Sequence, residues 1–136
     1  MGPLAVLAGV AGEQHSLGLA CLDQVLRDQG WSVANLGPDV PPADLARFLA
    51  RNRADLLALR ASLPERETAV RAAGLNATLP IMLGGALAAD ASLAGRLDVD
   101  LVAVSLVAAD RFARSVAAAL PERDEGGGPE VPDPAA

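Results

Sequence analysis

The chain has 136 residues, a formal net charge of −6 and 51% hydrophobic residues, enough for one domain with a core that needs neither disulfides nor a structural metal. Aromatics make up only 2% and all 11 basic residues are arginine, which argues against a base-stacking surface and a basic stripe for DNA or RNA, and removes Schiff-base lysine chemistry and the P-loop. No apolar run approaches the ~18 residues of a membrane span and no charged n-region precedes the first one, so the expectation is a cytoplasmic protein with neither nucleic acid nor membrane as partner.

Leu4 to Val10 is short, uncharged and apolar, the pattern of a strand buried on both faces of a parallel sheet. Glu13-Gln14-His15-Ser16-Leu17-Gly18 follows, and it holds the only histidine. Leu19, Leu22, Val25 and Leu26 then recur at helical spacing up to a stop at Gly30. Cys21, the single cysteine, lies on this helix and is expected as a small core residue.

Trp31 to Leu36 alternates as a second strand and is broken by Gly37-Pro38-Asp39. Pro41-Pro42-Ala43-Asp44 opens a second helix that runs to Asn52, with Leu45, Phe48 and Leu49 as its apolar stripe. Asp55 to Leu59 is a third strand, followed by Arg60-Ala61-Ser62-Leu63; Pro64 to Glu67 opens a helix ending near Gly74. Leu79 to Leu83 forms a fourth strand that enters Gly84-Gly85, and residues 86–97 carry a weaker helical pattern. Leu101 to Val104 is the fifth strand, with Ser105 at its end, and Ala108 to Leu120 is the closing helix.

Strands alternating with helices through short loops specify an α/β fold, a single doubly wound parallel five-stranded sheet of the flavodoxin-like or Rossmann-like kind. The strand order expected at this length is 2-1-3-4-5. One domain covers residues 1–120, and the Pro-, Gly- and acid-rich stretch 121–136 is expected to be a disordered tail. That order brings the loops after strands one, three and four together at the carboxyl edge, where open α/β sheets bind ligands. Those loops carry His15, Ser62 and Gly84-Gly85.

The Glu13-x-His15-x-x-Gly18 spacing resembles the E/D-x-H-x-x-G signature of cobalamin-binding domains, and the later loops extend the likeness across Leu4 to Ala118. Ser62-Leu63 is similar to the family's serine-containing segment after the third strand, and Gly84-Gly85 to its paired glycine after the fourth. The resemblance is nearest to the cobalamin domain of the light-sensing CarH-type repressors, which have Glu before the histidine. Leu36-Gly37-Pro38-Asp39-Val40-Pro41 is similar to a segment of theirs.

The resemblance implies a stand-alone cobalamin-binding protein that holds the corrinoid base-off, with His15 as the lower ligand to cobalt. The cofactor is adenosylcobalamin, methylcobalamin or hydroxocobalamin. Gly12, Glu13, Gln14, His15, Ser16, Leu17, Gly18, Ser62, Leu63, Gly84, Gly85, Val104 and Ser105 form the implied binding set. Glu13 either orients the histidine through its far ring nitrogen or is a solvated loop carboxylate. Gly18 lets the first helix approach ligand or strand closely. Ser62 either reaches the nucleotide tail or caps the helix near Pro64. Gly84-Gly85 either clears one wall of the tail channel or makes an ordinary turn.

Two departures stand out. Arg60 sits where many relatives have serine, and the helical bundle that covers the cofactor's upper face in the repressors and in methionine synthase is missing from this sequence. The upper face is therefore expected to need a partner protein or a second copy. Three uses stay open: a light-responsive sensor, a carrier, or a detached corrinoid subunit of a methyltransferase or mutase. The first two are cofactor binding without catalysis by this chain alone.

Overall fold

The structure is a computed structural model that describes residues 2–62, 66–74, 78–85, 99–103 and 105–121. Its elements in chain order are β1 (Leu4–Gly9), α1 (Leu17–Asp28), β2 (Ser32–Asn35), α2 (Pro42–Arg51), β3 (Leu56–Arg60), α3 (Glu67–Gly74), β4 (Ile81–Gly84), β5 (Leu101–Val102) and α4 (Leu106–Ala119). The five strands form one sheet in the order β2-β1-β3-β4-β5, and every pairing is parallel. Both the fold class and the strand order are those expected from the sequence. The helical pattern at 86–97, the tail beyond Pro121, Leu63 and Val104 lie outside the described residues.

The alternation of side chains along each strand divides the core into two layers. Val6, Ala8, Leu57, Leu59, Ile81 and Leu83 face α2 and α3, with Phe48 and Leu49 packed at the margin. Ala5, Leu7, Leu56, Ala58 and Met82 face α1 and α4, which contribute Leu19, Leu22, Leu26, Ala109, Ala113 and Val116. Each fully buried leucine contributes about 1.5–3 kcal/mol, so these two layers are the main source of stability.

Gly30 ends α1 as expected. At φ +97° it adopts a backbone region that favours glycine, while its N–H donates to Arg27 O at 3.0 Å and the Trp31 N–H to Leu26 O at 3.0 Å. Cys21 differs from expectation and is exposed. Helical phase is the reason: the buried stripe of α1 is Leu19, Leu22 and Leu26, and position 21 points about 100–160° away from each of them at about 100° per residue. The last helix starts at Leu106, two residues earlier than expected, because Ser105 caps it by accepting the Ala108 N–H at 3.1 Å.

Candidate functional site

The loop between β1 and α1 is held from two sides. Its turn uses Gly12 at φ +88°, where the N–H donates to Asp39 Oδ1 at 2.6 Å. Asp39 itself sits at φ 54°, a conformation that Asp tolerates better than most side chains. Gly9 N–H donates to Gly37 O and Val40 N–H to Gly9 O, both at 2.9 Å. The Leu36–Val40 segment is thus the brace that fixes how the chain leaves β1, a role the sequence pattern did not disclose.

Beyond that turn Glu13 folds inward and is 1% exposed. Ser62, from the loop after β3, closes over it: the Ser62 N–H donates to Oε1 at 2.7 Å and the Ser62 hydroxyl to Oε2 at 2.8 Å. Oε2 also accepts the His15 N–H at 3.3 Å and lies 3.0 Å from His15 Nδ1. Burial alone would raise the carboxyl pKa. The four hydrogen bonds, led by the Ser62 hydroxyl, outweigh it and hold Glu13 below the ordinary 4.5.

An ionised carboxylate can only accept, so it draws the imidazole proton to Nδ1. His15 Nε2 then carries the free lone pair, on a side chain that is 71% exposed. The sequence left open whether Glu13 reaches the histidine directly and whether it is solvated; here the bond is direct and the carboxylate is buried.

Beside this clamp, on the α1/α4 face of the sheet, is a groove of about 270 Å³. Leu19 and Leu22 of α1, Ala58 of β3, Met82 of β4 and Ala109 of α4 give it apolar walls, with Gly18, Arg60, Gly84, Gly85, Ser105 and Leu106 at the carboxyl end. The two adjacent glycines serve different ends. A Cβ on Gly84 would meet nothing within 4 Å, so this position leaves groove space open. Gly85, at φ +104°, would drive a Cβ into the backbone carbonyl of Ala61 and is required by the fold.

The implied binding residues separate into groups. Glu13, His15 and Ser62 form the clamp; Gly18, Gly84, Gly85 and Ser105 border the groove; Gly12 makes the turn. Gln14, Ser16 and Leu17 are exposed along the same loop. Ser62 spends its hydroxyl on Glu13 and is not among the groove's walls.

Among the described residues, Leu17, Leu106 and Val107 are large apolar side chains 77%, 44% and 61% exposed, and Leu106 lines the groove. The sequence reading missed the last two. Leu106 continues the Ala109–Ala113–Val116 stripe one turn past the sheet, and that extension was the signal available.

A family model for the B12 binding domain matches residues 3–104. No curated protein matches. Among solved structures, a novel cobalamin-binding protein from Desulfitobacterium hafniense DCB-2 superimposes with a TM-score of 0.78 at 20% identity, covering 85% of this chain and 59% of that one. The methanol:cobalamin methyltransferase complex MtaBC from Methanosarcina barkeri gives 0.77 at 19% identity, covering 86% and 47%. The Methanosarcina barkeri monomethylamine corrinoid protein gives 0.72 at 21%, covering 84% and 57%. The chain thus spans about half to three-fifths of the length of the proteins it resembles in fold.

Proposed function

This chain belongs to the B12 binding domain family, and from that membership we propose that it holds cobalamin base-off, with His15 Nε2 as the lower axial donor and the nucleotide tail in the groove beneath Gly18. The observation that carries the proposal is the clamp: Nδ1 is engaged by a buried carboxylate at 3.0 Å while Nε2 projects from an exposed side chain at the sheet's carboxyl edge. The donor set fits the group. One exposed imidazole, its other ring nitrogen held by a buried carboxylate, would be the donor the chain offers to cobalt.

When bound, the cofactor would supply cobalt-centred chemistry, with a cobalt–carbon bond in adenosylcobalamin or methylcobalamin and none in hydroxocobalamin. The residues of the chain bind and orient. Glu13 fixes the orientation of the imidazole, Ser62 fixes Glu13, the apolar groove walls accept a flat base, and Leu17, Leu106 and Val107 offer an apolar rim to a corrin or to a covering partner.

The finer reading is a light-responsive sensor or a carrier. Its support is the likeness of the Glu13-x-His15 pair and the Leu36-Gly37-Pro38-Asp39 segment to the light-sensing repressors, together with the bracing role of that segment. A second reading, a corrinoid subunit acting with a separate methyltransferase protein, draws on the fold shared with a methyltransferase complex and a monomethylamine corrinoid protein. In both, a partner or a second copy covers the upper face.

The test is an absorbance spectrum after dark incubation with adenosylcobalamin and desalting, then again after green light. The expected result is a retained red chromophore with a histidine-ligated spectrum, and His15→Ala abolishes that spectrum and weakens retention about tenfold or more. A colourless eluate, or a His15→Ala spectrum identical to wild type, overturns the assignment. A light-driven change unlike that of free cofactor supports the sensor; copurification with a substrate-binding methyltransferase protein supports the subunit.

A further inference from the structure

Arg60 is the last residue of β3, paired in register with Gly9 on one side and Gly84 on the other. Its side chain leaves the sheet at the groove and lies across to α1, so close to Gly18 that a methyl group there would collide with the guanidinium. Its Nε is buried and has no hydrogen-bond partner. The start of α1 beside it has no acidic residue in its first turn and no side-chain cap at Ser16, which leaves the positive end of the helix next to the same cation. A partly buried guanidinium with an orphaned donor is costly until an acceptor arrives.

An acceptor of matching shape is a phosphate, which a guanidinium engages with two parallel N–H donors. Resting on the cobalamin assignment above, we infer that Arg60 anchors the phosphodiester of the nucleotide tail where it enters the groove. Arg60 is thereby a specificity residue that favours corrinoids carrying that phosphate over those without it. Gly18 is the platform for this: the absence of a side chain lets the guanidinium lie flat against the start of α1.

The test compares three probes on the full chain by absorbance titration in the dark: cobinamide, which lacks the nucleotide; cobinamide phosphate, which adds the phosphate alone; and cobalamin. Wild type is expected to bind cobinamide phosphate about tenfold to a hundredfold more tightly than cobinamide. Arg60→Ser is expected to bind these two equally, and Arg60→Lys, which keeps the charge but loses the fork, to fall between. Cobinamide affinity stays the same in all three proteins and reports that the corrin seat is intact.

Equal wild-type affinity for cobinamide and cobinamide phosphate, or a phosphate preference that survives in Arg60→Ser, overturns the inference while leaving the cobalamin assignment standing. A wild-type chain that binds none of the three probes overturns both.

Discussion

The groove beneath Gly18 and a hollow between α2 and α3 lie on opposite faces and at opposite ends of the sheet, and the hollow is the larger, about 390 Å³ against 270 Å³. Size therefore does not mark the site. The hollow sits at the amino ends of β3 and β4, lined by Ala46, Leu49, Ala50, Ala54, Ala72, Ala73 and Leu79 with Arg53 and Thr78 at its margin. The groove opens at the carboxyl ends, beside a histidine clamped by a buried carboxylate and below a guanidinium with an orphaned donor. Polar groups whose hydrogen-bonding capacity the fold leaves unused distinguish a binding site from a packing gap.

The widest separation between the two cavities comes from filling each. Gly84→Val adds atoms where a Cβ meets nothing within 4 Å, so the fold accommodates it. The overpacking it imposes on an incoming tail lowers cobalamin affinity about tenfold to a hundredfold. Cobinamide, with no tail to displace, binds the variant as it binds wild type. Ala72→Leu, an exposed change at the hollow, leaves both affinities alone. Titrating both ligands into both variants checks the comparison, and a loss of cobalamin binding in Ala72→Leu would reverse which cavity is the site.

Within the proposed site, the clamp can be weakened without touching the proposed metal donor, His15. Glu13→Ala leaves the Ser62 hydroxyl and N–H without their acceptor and frees the His15 ring. Losing the carboxylate behind a metal-binding histidine lowers affinity about tenfold to a hundredfold, and two unsatisfied donors cost about 1–3 kcal/mol of stability each. Ser62→Ala removes one hydrogen bond and has the smaller effect. Corrinoid titration and urea unfolding of the two variants give the ranking; an effect of Ser62→Ala equal to that of Glu13→Ala would assign Ser62 a contact of its own.

What the sequence disclosed and what it withheld follow the range of the interactions. Strands β1 to β4, the stop at Gly30 and the opening of α2 at its prolines rest on local periodicity and backbone chemistry, and each is legible within a few residues. The edge at which His15, Ser62 and Gly84 meet followed from strand order alone. The burial of Glu13 did not, because it depends on Ser62, 49 positions away, folding over the carboxylate. Nor did the path of Arg60, which depends on the absence of a side chain at Gly18 in another element. Cys21 was misplaced for a different reason: residue type suggests burial, but helical phase decides it.

The smallest effect concerns a contact that holds the groove's two helices together without entering the groove. Gln29, just past the end of α1, donates through Nε2 to the Asp110 carbonyl at 3.0 Å and accepts from Trp31 Nε1 at 3.3 Å. Its amide also bonds the Asp110 carboxylate, and that bond, followed by one from Arg114, holds the Asp110 pKa below the ordinary 3.8. A depressed carboxylate pKa means that the unfolded chain takes up the proton first on acidification. The stabilisation is therefore complete above about 3.8 and is lost as pH falls through the lower folded value.

Asp110→Asn keeps an acceptor for Gln29 but cannot titrate. Wild type is accordingly expected to unfold at a slightly higher temperature than the variant at neutral pH, with the gap closing below pH 3.8. Thermal unfolding of both proteins across that range measures it, and a gap independent of pH would show that shape rather than charge makes the contact. Cobinamide and cobalamin affinities at neutral pH should be the same in both proteins. The contact would then belong to the fold, as the hollow between α2 and α3 does, and the binding chemistry would remain with His15, Glu13 and Arg60 at the other end of α1.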